Sequence, residues 1–590
     1  MPSLWGAMAI GERRRSRLVQ GLVLAVPSVL LAERAWDRRW MTDDGFINLR
    51  VVRMILDGHG PVFNEGQRVE VATSTLWIWL LTAADVVLPL QLEWIAVLLG
   101  LACAVAGLAL ATVAATRLQR RLGATGLLLP VGAAVVAAVA VVWDFSTSGL
   151  EGGLVFGWLG LTAYLLARWA DGDRRLGIAS ATVLGLGPLV RPDLLLVSLV
   201  AVGGVLLVEW RAGRIVDRLR LVAAAFALPA IYEVWRMGYY ASLVPNTALA
   251  KSGSRSRWDV GYAYLRDFLG PYRLWLPLLV LLAVALVPAL LRARAGGQPR
   301  VVVALAALPL AGLLDGLYVV RVGGDYMHGR LLLPAFFALA APVAAVPLPR
   351  WPSGKVPLAV AGGLAVTAIW VVVCLGWLRP PPHPTVSPIF SSDARYGAVE
   401  AVGEHAVTAS DVKVDPERAR KRIDPVWPVY IEWRPVFATP PGDLRTPVFA
   451  GYGIGVVGYA LGPDVEIIDL LGLADPVTAR FDLPVPGFTG HEKPVPRPWL
   501  AAQISTTPLN LDSLPDPLIG RPLYSSTAAS FDGDTAAARQ ALGCGDLRRL
   551  LEATRTRITP RRFLSNLVSA PRNTALDIPP DPHEAVDRFC

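Results

Sequence analysis

The chain has 590 residues, of which 54% are hydrophobic and only 17% charged, and its formal net charge is +9. Soluble globular chains carry about 25% charged residues, so this composition excludes an ordinary soluble domain and describes a polytopic membrane protein. Walker loops, HExxH pairs and CxxC pairs do not occur in the sequence, which leaves ATP chemistry without support.

A spanning helix needs about 20 mostly apolar residues. Eleven segments qualify: 17–35, 93–116, 126–143, 152–169, 176–190, 193–209, 219–236, 273–292, 300–320, 330–348 and 356–378. The first follows Arg13, Arg14, Arg15 and Arg17 and lacks a small-residue cleavage site, so it reads as a retained span. The apolar segment 73–89 is short and interrupted by Asp85, and is expected to lie at the interface. With it left out, the arginine-rich loops 117–121, 174–175, 211–220, 292–300 and 350–355 fall on the cytoplasmic side with the N terminus. Topology thus accounts for the positive charge without a nucleic-acid partner. The expected location is the inner (plasma) membrane, with the C-terminal part outside.

From residue 379 the long apolar runs stop and prolines recur. The expected division is a membrane domain, 1–378, and an extracytoplasmic mixed α/β domain, 379–590. Runs 456–461 and 465–471 suggest strands, and runs 535–542 and 546–554 suggest helices. Trp427, Trp433 and Trp499 suggest carbohydrate contacts there. If this part lies outside the cytoplasm, Cys544 and Cys590 can pair. Cys103 and Cys374 sit in apolar runs as small buried residues.

Chemically varied residues collect in the outer loops. Asp43 and Asp44 directly follow the first span, where one acid would suffice for a helix cap. Adjacent carboxylates suit a divalent cation or a base with a raised pKa. The helix they open places Ile47, Val51, Met54 and Ile55 on one face and Arg50 and Arg53 elsewhere, as in an interfacial helix. The segment 58–75 holds Glu70 and Thr73 after a Gly-Pro turn, and its polar groups suit a hydroxyl-rich ligand or ordinary loop packing. Glu151 precedes a span, and Arg191 with Asp193 interrupts two others. The run 239–251 ends in Lys251, and 321–330 packs Asp325, His328 and Arg330 between two spans, where cations suit a phosphate.

Taken together and in order, these motifs resemble the actinobacterial terminal β-(1→2) arabinofuranosyltransferase (AftB) family over nearly the whole chain. The likeness is carried by Trp40-x-x-Asp43-Asp44-Gly45, Arg68-Val-Glu70, Thr147-Ser-Gly-Leu-Glu151, Arg191-Pro192, Thr247-Ala-Leu-Ala-Lys251, Gly323-Gly-Asp-x-Met-His-Gly-Arg330, Arg562-Phe-Leu-Ser-Asn566 and the Cys544/Cys590 pair. The resemblance implies a GT-C glycosyltransferase that draws on decaprenylphosphoryl-arabinofuranose and extends cell-wall arabinan, in arabinogalactan and lipoarabinomannan. It implies a β donor and a β product, hence net retention.

In such an enzyme Asp43 is the first candidate for acid/base work, with Asp44 assisting or holding a divalent cation, and the two roles remain exchangeable. Lys251, His328, Arg330 and Arg191 are the candidates for the polyprenyl phosphate. Glu70, Thr73, Glu151 and Asp325 are the candidates for sugar or acceptor contacts. The donor's lipid tail gains about 0.8 kcal/mol per buried CH₂, so the site must meet it at the outer interface. The competing readings are a GT-C enzyme using another polyprenyl-phosphate sugar, a lipid-linked glycan transporter, and a non-catalytic membrane anchor.

Overall fold

A computed structural model describes the chain outside residues 1, 173–175, 211–213, 252–255, 349–354, 381–392, 413–435, 439–447, 452, 484–489 and 505–530. Among the described residues, seven helices are long and apolar enough to cross a membrane: Arg17–Asp37, Leu92–Arg121, Gly152–Asp171, Pro192–Glu209, Trp275–Ala295, Pro299–Val322 and Leu358–Gly376. The protein is therefore mostly helical and polytopic.

The other four apolar segments take different forms. Segment 126–143 divides into helices Val131–Ala137 and Ala140–Phe145 at the extended Val139. Segment 176–190 divides at Leu186, just before Pro188. Segment 219–236 lies within the longer helix Ile215–Tyr240, which carries Glu233 and Arg236. Segment 330–348 contributes the shorter apolar helix Arg330–Val343.

Lipid offers little hydrophobic drive between helices, so close approach of small residues holds them. Leu92–Arg121 and Gly152–Asp171 meet in this way. A Cβ on Gly153 would stand 2.0 Å from the Gly100 carbonyl oxygen, and one on Gly160 would stand 2.0 Å from that of Gly107. Both contacts repeat at a seven-residue spacing, about two helical turns, so the seam is a glycine stripe.

The short apolar helix Thr75–Val87 forms inside the expected segment 73–89. The helix Asp43–Leu56 differs from expectation. Arg50 is 2% exposed, and the helix packs against Gly455–Leu461 from the C-terminal part. It is buried by protein on the face where solvent was expected.

In the C-terminal part, Val448–Gly451 pairs antiparallel with Val436–Ala438 and parallel with Glu466–Asp469. Helices Phe531–Leu542 and Gly545–Arg555 cover the runs expected to be helical. The run 456–461 is a helix, Gly455–Leu461, and not a strand. A mostly apolar run of six residues satisfies either period, and the backbone here is set by partners in the stretch after the first span.

Two apolar clusters result. The larger joins the membrane helices to Phe449, Ile454, Val456, Tyr459 and Ile467. The smaller gathers Leu470, Phe481, Trp499, Phe531, Leu547 and Ile578. Trp499 is therefore core, with its Nε1 donating to the Pro580 carbonyl at 2.8 Å, and it presents no ring to a sugar. Trp427 and Trp433 lie outside the described residues. Cys544 and Cys590 are joined by a disulfide.

Candidate functional site

The helix Asp43–Leu56 starts where it does because Thr42 caps it, with Oγ1 accepting the Gly45 N–H at 2.8 Å. Two donors tie the cap to the stretch before the Gly152–Asp171 helix, and a third, from the Thr75–Val87 helix, braces the same stretch. The Trp40 indole donates to the Asp144 carbonyl at 2.9 Å, the Thr42 N–H to Ser148 O at 3.0 Å, and the Trp77 indole to Gly149 O at 3.0 Å. The Ser148 carbonyl thus seats this cap.

The two aspartates then meet different partners. Asp43 accepts the backbone N–H groups of Gly455 and Val456 at 3.1 and 2.9 Å, and so caps the Gly455–Leu461 helix from outside. Gly455 makes this approach possible, since a Cβ there would stand 1.8 Å from the Asp43 carbonyl oxygen. Asp44 turns the other way, and its Oδ2 accepts Arg330 Nη1 at 3.2 Å. Arg330 Nε also lies 3.3 Å from Asp325 Oδ2, while Lys251 Nζ stands 3.9 Å from Asp325 Oδ1.

These surroundings separate the two carboxyl groups. Burial, helped by the charge on Asp44, pushes Asp43 up to about 6 against the pull of its two backbone donors. Burial alone would raise Asp44 as well, but Lys251, Arg330 and His491 outweigh it and hold Asp44 below the usual carboxylate range. One neighbouring acid is poised to exchange a proton near neutrality while the other stays ionised.

The loop that carries Asp325 and Arg330 depends on glycine. Gly324 has φ +80°, and a Cβ there would meet the Tyr264 ring at 2.3 Å. The Tyr264 hydroxyl in turn donates to Met327 O at 2.9 Å and accepts the Leu331 N–H at 3.2 Å. The ring and the loop brace each other.

Asp44, Lys251, Asp325 and Arg330 thus converge. Glu151 is buried beside them, its charge felt by both Arg330 and Arg191. The remaining candidates face elsewhere. His328 directs Nδ1 to Asp267 Oδ2 at 2.8 Å, with its ring against Tyr272 and Phe268. Arg191 forms a two-pronged pair with Asp193. Glu70 accepts the Tyr232 hydroxyl and Arg236 Nε, both at 2.6 Å. It lines a small open pocket together with Thr75, Trp79, Tyr232, Trp235 and Tyr240. Thr73 is partly buried nearby in sequence.

The aspartate pair does not fit a divalent cation. Both Asp43 oxygens face backbone N–H donors, Asp44 faces a guanidinium, and no cluster of three potential ligands occurs among the described residues.

The structure also supplies members that the sequence motifs lack. The Tyr326 ring packs edge-on against that of His491 at 4.7 Å, and Arg257 Nη1 lies 3.5 Å from Glu492 Oε1. The polar triplet His491-Glu492-Lys493, set in a proline-rich stretch, was the available sequence signal.

Fold and site together define a multi-pass membrane protein whose charged, partly buried cluster forms where loops between the helices meet the C-terminal part. Residues 431–588 match the AftB family C-terminal domain. Over 93% of its length the chain is 34% identical to the terminal β-(1→2)-arabinofuranosyltransferase of Mycobacterium tuberculosis, covering 93% of that protein. Over 94% of its length it is 32% identical to the protein of the same name from Corynebacterium glutamicum, covering 85% of it. No solved structure matches the chain. The chain belongs to the terminal β-(1→2)-arabinofuranosyltransferase family, and it is a glycosyltransferase.

Proposed function

We propose that the protein moves arabinofuranose from decaprenylphosphoryl-arabinofuranose to the non-reducing ends of cell-wall arabinan, in arabinogalactan and lipoarabinomannan, forming terminal β-(1→2) linkages. The observation that carries this reading is the divided aspartate pair, with Asp43 near pKa 6 and Asp44 held ionised by Arg330 and Lys251. In the reaction the anomeric carbon–phosphate oxygen bond breaks and a bond to the acceptor hydroxyl oxygen forms. Asp43 accepts the hydroxyl proton. Lys251 and Arg330 receive the negative charge that collects on the departing phosphate. Retention at the anomeric carbon requires two displacements or a same-face path, and Asp44, kept ionised, is the carboxylate suited to the first.

The working topology has eleven spans, a cytoplasmic N terminus, and a division into domains 1–378 and 379–590. Basic clusters at 117–121 and 292–300 and the Cys544–Cys590 disulfide support an extracytoplasmic C-terminal domain. The acceptor glycan reaches the site from that side, and Glu70, Thr73, Glu151 and Asp325 are the groups offered to sugar hydroxyls.

The test is transfer of labelled arabinofuranose from decaprenyl phosphate to a synthetic arabinan by purified protein. Activity in the wild type that is lost in Asp43→Asn and Asp44→Asn, with folding intact, is the expected result. Full activity in both variants rejects the catalytic assignment, and no transfer by folded wild type rejects the donor.

A further inference from the structure

Glu492 reaches the site from the C-terminal part and is 3% exposed on its side chain. Its Oε1 accepts the Gly490 N–H at 2.9 Å and lies 3.5 Å from Arg257 Nη1. Its Oε2 is buried and accepts no hydrogen bond from the described residues. Gly490 in turn sits against Tyr326 and Asp325, so this turn closes one wall of the cluster. The charge of Lys251 also acts on Glu492.

The exposures are ordered. The side chains of Lys251 and Arg257 are 29% and 22% exposed, whereas those of Asp325 and Glu492 behind them are 2% and 3% exposed. The cations face outward and the carboxylates back them. Lys251, Arg257 and Arg330 are balanced by Asp44, Asp325 and Glu492 when all are ionised. A phosphodiester entering this cluster adds one negative charge that nothing fixed in it offsets.

On the reading of the site as the binding place of a lipid phosphate, we propose that Glu492 is a positioning residue. It pairs with Arg257, feels the charge of Lys251, and takes up a proton when the donor phosphate claims those cations. The proton comes from solvent and no covalent bond changes. Burial above all pushes Glu492 up to about 7, against the Gly490 N–H, Lys251 and Arg257, so protonation is accessible near neutrality. Losing the two cations to a phosphate removes the interactions that favour its charged form and drives it further upward. His491 and Tyr326 flank the turn, and Asp325, Arg330 and Asp44 complete the charged surroundings.

The experiment is calorimetric titration of the full-length protein in nanodiscs with a farnesyl methyl phosphodiester, which keeps a single charge from pH 5 to 9. Running it at about pH 7.5 in two buffers of different ionisation enthalpy counts the protons taken up. The expected result is uptake of roughly half to one proton by the wild type and close to none by Glu492→Gln. Wild-type affinity should then weaken with rising pH by up to about tenfold per unit, and Glu492→Gln should bind with a flat profile. A residue that merely supports the fold would not remove the proton count. Binding without proton uptake in the wild type overturns the proposal, as does undiminished uptake in Glu492→Gln. Because the wild type carries the first measurement, a poorly folded variant does not decide it. Failure of the wild type to bind the phosphodiester overturns the lipid-phosphate reading together with this one.

Discussion

The carboxylate of Asp43 accepts the backbone N–H of Val456 at 2.9 Å, across 413 residues of sequence. One side chain thereby ties the stretch after the first span to the C-terminal part and occupies the position proposed for the base. Docking and chemistry are coupled at this residue.

A pH dependence follows. The folded pKa of Asp43, about 6, lies above its ordinary value of 3.8, so folding favours its protonated form. The stability contributed by that preference is fully present below pH 3.8 and is lost as pH rises through about 6. Activity that needs the carboxylate as a base moves the opposite way and increases over the same window. Turnover of the wild type should rise with an apparent pKa of about 6, and the limb should vanish in Asp43→Asn. A flat wild-type profile from pH 5 to 8 would remove Asp43 from the base role.

Arg50 is a second tie. Its guanidinium donates to the carbonyls of Phe63, Gly462 and Val465 at 2.7, 2.8 and 2.8 Å and also to that of Gly458, and burial lowers its pKa to about 10. Arg50→Met leaves these acceptors without donors, at about 1–3 kcal/mol for a buried unsatisfied group. Arg50→Lys should recover little, because an ammonium cannot span the fork. Limited proteolysis should release C-terminal fragments faster from both variants. Wild-type resistance in Arg50→Met would show that the contact contributes nothing to docking.

Gly324→Ala tests the loop that carries Asp325 and Arg330. The new methyl would meet the Tyr264 ring at a φ of +80°, and overpacking of this kind costs about 1–3 kcal/mol. The expected outcome is a fall in kcat of tenfold or more, since Arg330 shifts relative to Asp44. Tyr264→Phe keeps the packing but loses the hydroxyl's two hydrogen bonds, so a smaller loss is expected. Equal kcat in Gly324→Ala and wild type would contradict the bracing role.

The disulfide lies apart from the charged cluster. Cys544 and Cys590 close a loop with a sequence separation of 46, worth about 2–4 kcal/mol in the unfolded-chain account. The double serine variant should unfold several degrees lower while retaining kcat, and reductant should lower the wild-type transition but not the variant's. A coincident loss of kcat at temperatures where the variant is folded would tie the disulfide to the site.

Local properties were legible in the sequence. Seven spans, the short helix Thr75–Val87 and a helix opening at the paired aspartates follow from run length, charge and capping chemistry, which need no distant partner. The Asp43/Asp44 pair and the 323–330 loop stood out because acids and glycines are expensive beside apolar spans unless they have a use. The tertiary structure alone decided what these groups touch. Arg50 was expected on an outer face, yet it is buried against carbonyls at 458, 462 and 465. The run 456–461 became a helix beneath an aspartate contributed from position 43. His328 and Arg191 are of the residue types expected of phosphate ligands, but Asp267 and Asp193 engage them. Glu492 joined the site from a proline-rich stretch without a motif. Periodicity reports which face of an element is apolar, whereas partner choice depends on which buried charges and backbone groups long-range packing brings within about 3 Å.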